Sequence, residues 1–157
     1  MLQPRVHQLL FQQLIPAPLE VVWQFFATPR NLNLLTPPFL HFSIVQGAEE
    51  PMYPGQLIRY RLRLAPGIWA SWVTEIAHLE EGRYFVDEQR LGPYRFWYHE
   101  HRFQPVAEGV AMTDRVSYAL PWGWLGEVAH ALWVRRQLVA IFHYRAQQIQ
   151  RLFPGGA

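Results

Sequence analysis

The chain contains no cysteine and no lysine. The first absence removes disulfides, thiol nucleophiles and cysteine-ligated metals together. The second removes Schiff-base chemistry and the phosphate-binding lysine of P-loops, since all 14 basic residues are arginines. Aspartate is scarce too: Asp87 and Asp114 are the only two. Apolar runs are short or broken by Arg, Glu and Pro, so no segment approaches the roughly 18 to 20 uninterrupted residues that span a bilayer. The opening MLQPRVHQLL has an early proline and no small-residue cleavage site. No secretory leader is therefore expected, and a cytoplasmic location is. The net charge is only +2 and the arginines are scattered from Arg5 to Arg151, which leaves no basic stripe to support nucleic-acid binding.

What is present is apolar and aromatic. Of 157 residues, 50% are hydrophobic and 15% aromatic, which places the chain among well-packed globular proteins. A single domain over 1–157 is expected, large enough to bury roughly two thirds of the surface of its unfolded chain.

Periodicity divides the chain into three parts. HQLLFQQLI at 7–15 reads as a strand stopped by Pro16 and Pro18. PLEVVWQFFAT then reads as a helix of about ten residues, and PRNLNLLTPP as one or two short helical turns ended by Pro37 and Pro38. From residue 39 the period becomes two. Six strand candidates follow, FLHFSIVQG, QLIRYRLRL, IWASWVTEIAHL, RYFVDEQRL, YRFWYHEHRFQ and GVAMTDRVSYAL, separated by turn-forming pairs such as Pro54-Gly55 and Pro66-Gly67. That spacing indicates an antiparallel meander. In QLIRYRLRL, Arg59, Arg61 and Arg63 should face solvent while Ile58, Tyr60, Leu62 and Leu64 face the core.

Residues 124–153 carry a helical stripe through Val128, Leu132, Val139, Phe142, Ala146, Ile149 and Phe153. They predict one amphipathic helix of about 28 residues, roughly 40 Å long, stopped by Pro154-Gly155-Gly156. The order is strand, two helices, six strands, long helix, an α+β arrangement. A strongly coiled sheet around one helix, itself about 10 Å across, is expected to leave a cavity.

That order, with FVDEQRLGPYRFWYHEHRF, MTDRVSY and LGEVAHALWVRRQL, resembles the helix-grip superfamily. This superfamily includes START lipid-transfer domains, the birch-pollen allergen, polyketide cyclases and coenzyme Q-binding proteins. The closer resemblance is to a bacterial branch of SRPBCC-type ligand-binding proteins, over residues 4–153. It implies a seven-stranded curved antiparallel sheet wrapped around the C-terminal helix, with two short helices after the first strand. Its functional implication is broader, because the superfamily hosts carriers and enzymes alike.

The stretch FWYHEHRF carries the candidate site. Strand alternation puts Trp97, His99, His101 and Phe103 on one face. On the following strand Asp114 shares a face with Met112, Val116 and Tyr118, and on the preceding one Asp87 shares a face with Phe85. Both aspartates are thus expected on inner faces beside the histidines, where a buried charge requires a partner. The bland reading is that these His-Asp pairs satisfy each other and set register. The functional one is a binding pocket for a hydrophobic small molecule, walled by Trp72, Phe85, Trp97, Phe103, Tyr118 and Phe142. Its polar anchors would come from Asp87, His99, His101 and Asp114.

Two chemical alternatives stay open. One is acid–base catalysis of cyclase or dehydratase type by His99, His101 and Asp114. The other is a two-histidine, one-carboxylate metal centre. No cofactor or metal is expected from spacing alone. Trp122 and Trp124 suggest a plug at the barrel end, a cavity entrance, a transient membrane contact, or, if exposed, a protein-interaction patch. TPPFLHF at 36–42 is a candidate for the opposite lip, and Arg135 for a cation reaching a pocket acid.

Overall fold

The computed structural model describes residues 5–155. Strand β1 (His7–Ile15) ends where Pro16 and Pro18 remove ladder donors. Helix α1 (Leu19–Phe26) starts after Pro18, carries Glu20 in its first turn and buries Val22, Trp23 and Phe26. A 3-10 turn at Pro29–Asn31 leads into the single turn α2 (Leu32–Leu35), and another occupies Pro38–Leu40. The strands β2 (Ser43–Gln46), β3 (Leu57–Ala65), β4 (Ile68–Glu80), β5 (Tyr84–Leu91), β6 (Phe96–Val106) and β7 (Gly109–Ala119) follow. Helix α3 (Trp124–Ala129) then passes through a π-helical turn, His130–Val134, into α4 (Arg135–Leu152).

The seven strands form one antiparallel sheet in the order β1-β7-β6-β5-β4-β3-β2. From β2 to β7 each strand pairs with the next in sequence, as a meander requires, and β1 closes against β7. Register shifts in β4, between Val73 and Thr74 and between Ile76 and His78, let the sheet bend there. The inner face of β3 buries Ile58, Tyr60 and Leu62 while Arg59 and Arg61 stay exposed, as the alternation predicts, but Arg63 and Leu64 at the end of the strand are both half-buried.

Two elements depart from the sequence reading. The segment expected as a strand over 39–47 is extended only at Ser43–Gln46. Its first residues follow Pro37 and Pro38, whose fixed φ suits the 3-10 turn they form, and His41 leaves that turn in a left-handed conformation.

The second departure is the C-terminal helix. It covers the expected range, but Val128 and Leu132 are 48% and 68% exposed, whereas Val134, Leu138, Phe142 and Ile149 are buried. The π-helical turn lengthens one helical turn and rotates the buried stripe onto Gly126, Val134 and Leu138. Gly126 accepts this register because it has no side chain to collide with the Pro121 carbonyl oxygen. Arg135 is consequently exposed and does not reach the interior. Phe153 leaves the helix in the expected place. Gly156, part of the expected stop, and Met1–Pro4, on which the leader expectation bears, lie outside the described residues.

Candidate functional site

The core is divided. One cluster packs α1 and α2 against β6 and β7 through Trp23, Phe26, Leu35, Phe103 and Met112. A second packs Val134, Leu138 and Phe142 of the C-terminal helix against Trp97, Val116 and Tyr118. A third sits on β3 and β4 at Ile58, Tyr60 and Ile76. Between them lies a cavity of about 190 Å³, far above the ~10–15 Å³ that one water molecule needs. Its walls are mainly apolar side chains from the sheet, α2 and α4, and Thr36, Leu40 and Phe42 of the 36–42 loop line it too.

Seven of the ten sequence-predicted site residues line this cavity: Trp72, Phe85, Asp87, Trp97, His99, His101 and Phe142. The other three lie behind the wall. Phe103 belongs to the α1 cluster, where it meets Trp23 edge-on at 5.5 Å. Tyr118 is fully buried and its hydroxyl is 2.8 Å from Nε2 of His130. Asp114 sits beneath the histidines, 6% exposed. In each case strand alternation assigned the correct face, but position along the strand decides whether that face meets the hollow or the packed core.

The polar end of the cavity is a four-membered ring of side chains set by register. Asp87 of β5 pairs directly with His99 of β6, and His101 of β6 pairs directly with Asp114 of β7. Each histidine is diagonal to the other aspartate, within reach of long side chains. His101 Nε2 is 2.8 Å from Asp87 Oδ2 and His99 Nδ1 is 3.4 Å from the same oxygen. On the far side His99 Nε2 and His101 Nδ1 each lie 2.9 Å from Asp114 Oδ1. The second of these contacts is close but out of hydrogen-bond alignment. Trp97 Nε1–H donates to Asp87 Oδ1 at 3.3 Å. Phe85 stacks on the His101 ring at 4.1 Å, and Phe142 meets His99 edge-on at 5.4 Å, which fixes both imidazoles from the apolar side.

Electrostatics separate the two histidines. Burial opposes charge on His101, but its contacts with Asp114 and Asp87 outweigh that, and its pKa is raised. For His99 burial and the neighbouring His101 prevail over both carboxylates, and its pKa is lowered. Burial would raise both aspartates, yet Asp114 is held far below the carboxylate range by its close contacts with His101 and His99. Asp87 is lowered by its proximity to His99 and the hydrogen bond from His101. The two histidines are thus shifted in opposite directions while both aspartates are shifted down.

Sequence reasoning missed Arg145. It lines the cavity from α4, its guanidinium stands 4.9 Å over the Phe142 ring, and its buried Nε has no hydrogen-bond partner among the described residues. The signal was legible, because Leu138, Phe142, Arg145 and Ile149 recur at the spacing of one helical face. Trp122 and Trp124 do not plug the barrel end: they are 80% and 65% exposed, beside exposed Leu125 and Leu132.

No family model matches the chain, and no curated protein does. Solved structures do. A Chromobacterium violaceum protein superposes with a TM-score of 0.72 at 14% identity, over 96% of this chain and 99% of that one. The major latex-like protein 151 of Panax ginseng gives a TM-score of 0.68 at 13% identity, over 94% and 97%. Norcoclaurine synthase from Thalictrum, solved with a transition-state analogue, gives 0.66 at 10% identity, over 97% and 99%. Identities this low speak for the fold alone. Among the described residues no helix is long and apolar enough to cross a membrane. A curved seven-stranded antiparallel sheet closed by a long C-terminal helix, shared along nearly the full length of these chains, makes this a protein of the helix-grip fold.

Proposed function

We propose that the protein binds a hydrophobic small molecule with one polar headgroup, of the lipid, isoprenoid quinone or polyketide-like aromatic class, between the sheet and α4. The observation that carries this reading is the hollow itself, apolar on most sides, with Asp87, His99, His101 and Arg145 gathered on its wall. The aromatic rings of Trp72, Trp97 and Phe142 suit a flat or unsaturated ligand. Burying about 300 Å² of apolar ligand surface would contribute roughly 7 kcal/mol, which association costs of about 4 kcal/mol or more reduce to millimolar affinity or weaker, so contacts to the headgroup from Asp87, His99, His101 and Arg145 must supply the rest.

An enzymatic reading has one specific observation in its favour. His99 and His101 stand 3.8 Å apart, centre to centre, with pKa values pushed in opposite directions, which is the pairing that acid–base chemistry needs. It ranks second because the histidine pair by itself specifies neither a substrate nor the bond to be changed.

The test uses 8-anilinonaphthalene-1-sulfonate, an aromatic fluorescent anion. Wild-type protein should bind it at one site with a Kd below about 100 μM, apolar burial and the polar contacts acting together. Leu138→Trp, which places an indole in the hollow, should weaken binding at least tenfold while thermal unfolding stays cooperative. Equal affinity for both proteins would refute the cavity as the binding site.

A further inference from the structure

The polar ring has a front and a back. Asp87, His99 and His101 face the cavity, whereas Asp114 stands behind the two imidazoles and takes no part in the cavity wall. On the front, one donor atom from each of the three residues can be chosen so that all lie within 4.8 Å of one another. Asp87 Oδ2 is 2.8 Å from His101 Nε2 and 3.4 Å from His99 Nδ1. Donors held at about 2.1 Å from one ion stand about 3 to 3.5 Å from one another; the 3.4 Å separation falls in that range, and the 2.8 Å one, a hydrogen bond without the ion, needs to lengthen only by about 0.2 Å.

The back completes the pattern. Asp114 Oδ1 lies 2.9 Å from His99 Nε2 and 2.9 Å from His101 Nδ1, the ring nitrogens opposite the front donors. A carboxylate behind a ligating imidazole takes its remaining N–H, selects the tautomer and turns the lone pair outward. Asp114 takes this hydrogen bond from His99 and stands close behind His101, 2.9 Å from its Nδ1. Phe85 and Phe142 hold the rings from the sides. The remaining coordination positions open onto the cavity.

We infer that Asp87, His99 and His101 form a binding site for one divalent transition-metal ion at the cavity wall, with Asp114 as its outer-shell positioning residue. Two imidazoles and one carboxylate, with no sulfur, suit zinc, ferrous iron or cobalt rather than magnesium or calcium, which take oxygen donors. The positive charge of the ion would serve as a counterion to Asp87 and Asp114. The assignment is independent of which organic ligand the cavity takes.

A second cluster of the right residue types, His7, Glu127 and His130, argues against itself and supplies a control. Its imidazoles are stacked more nearly parallel, at 3.6 Å and 16°, than those of His99 and His101, at 3.8 Å and 38°, so their lone pairs converge less. His130 Nε2 is also engaged by the Tyr118 hydroxyl, a group outside the cluster.

The experiment titrates full-length protein, stripped with a chelator and dialysed, with Co²⁺ followed by visible absorption and with Zn²⁺ followed by calorimetry. Wild type is expected to take one equivalent with a Kd below about 10 μM. His101→Gln and Asp87→Asn should lose that binding by at least a hundredfold, Asp114→Asn should weaken it by about 10- to 100-fold, and His130→Gln should leave it unchanged. Should a ring variant fail to fold, His99→Gln replaces it. The inference is overturned if wild type binds neither ion below about 100 μM, if binding survives in the folded ring variants, or if it is lost in His130→Gln instead.

Discussion

Replacing Asp114 with Asn probes the polar ring at its most buried point. The substitution keeps the shape of the side chain but removes a charge that is 6% exposed and lies 2.9 Å from a nitrogen of each histidine. Removing one partner of a buried ion pair leaves the other uncompensated and typically costs 3–5 kcal/mol, and because the Asn carbonyl still accepts one N–H, about 3 kcal/mol is expected. For a chain of this size each kcal/mol moves the midpoint by roughly 2–4 °C, so Tm should fall by about 6–12 °C at pH 7 in metal-free buffer. Differential scanning calorimetry reads it directly. The pH dependence supplies a second check. The Asp114 pKa is depressed in the fold, so its contribution is present above the ordinary carboxylate value near 4 and is lost as pH falls toward the depressed value. The gap between wild type and variant should therefore narrow below about pH 4. The raised pKa of His101 acts in the opposite sense: its contribution is present below about 6.5 and lost as pH rises through the raised value. With one of its two carboxylates gone, that alkaline loss should begin at lower pH in the variant. A Tm within 2 °C of wild type at pH 7, or a gap that does not change with pH, would refute the reasoning.

Two further outcomes test the fold that positions the site. Gly47 and Gly55 share nearly the same left-handed φ, +86° and +87°, yet a methyl at 47 would strike the Leu57 carbonyl oxygen whereas one at 55 meets nothing within 4 Å. Gly55→Ala should therefore cost about 1 kcal/mol from backbone strain alone, and Gly47→Ala at least twice that, with urea midpoints to compare them. Phe142→Ala removes a buried ring that stacks on Phe11 at 4.4 Å and backs His99. It should cost about 3–5 kcal/mol and widen the cavity; a loss below 1 kcal/mol in chemical denaturation would show that this wall does not carry the packing assigned to it.

The sequence by itself determined the element order, the strand count, the meander and the inward face of each central strand. Period-two alternation, turn pairs and proline stops act locally, so each is visible in a few consecutive residues. FWYHEHRF placed His99 and His101 on one face for that reason, and the scarcity of aspartate drew attention to Asp87 and Asp114. What only the tertiary structure decided depends on contacts between segments distant in sequence. Whether Phe103 meets the hollow or the core is set by where α1 lands, and whether Val128 or Val134 turns inward is set by a π-helical turn that admits Gly126 beside Pro121. The closing of two aspartates and two histidines into one ring is likewise a matter of register across three strands, where a shift of one residue would have sent every one of those side chains to the opposite face.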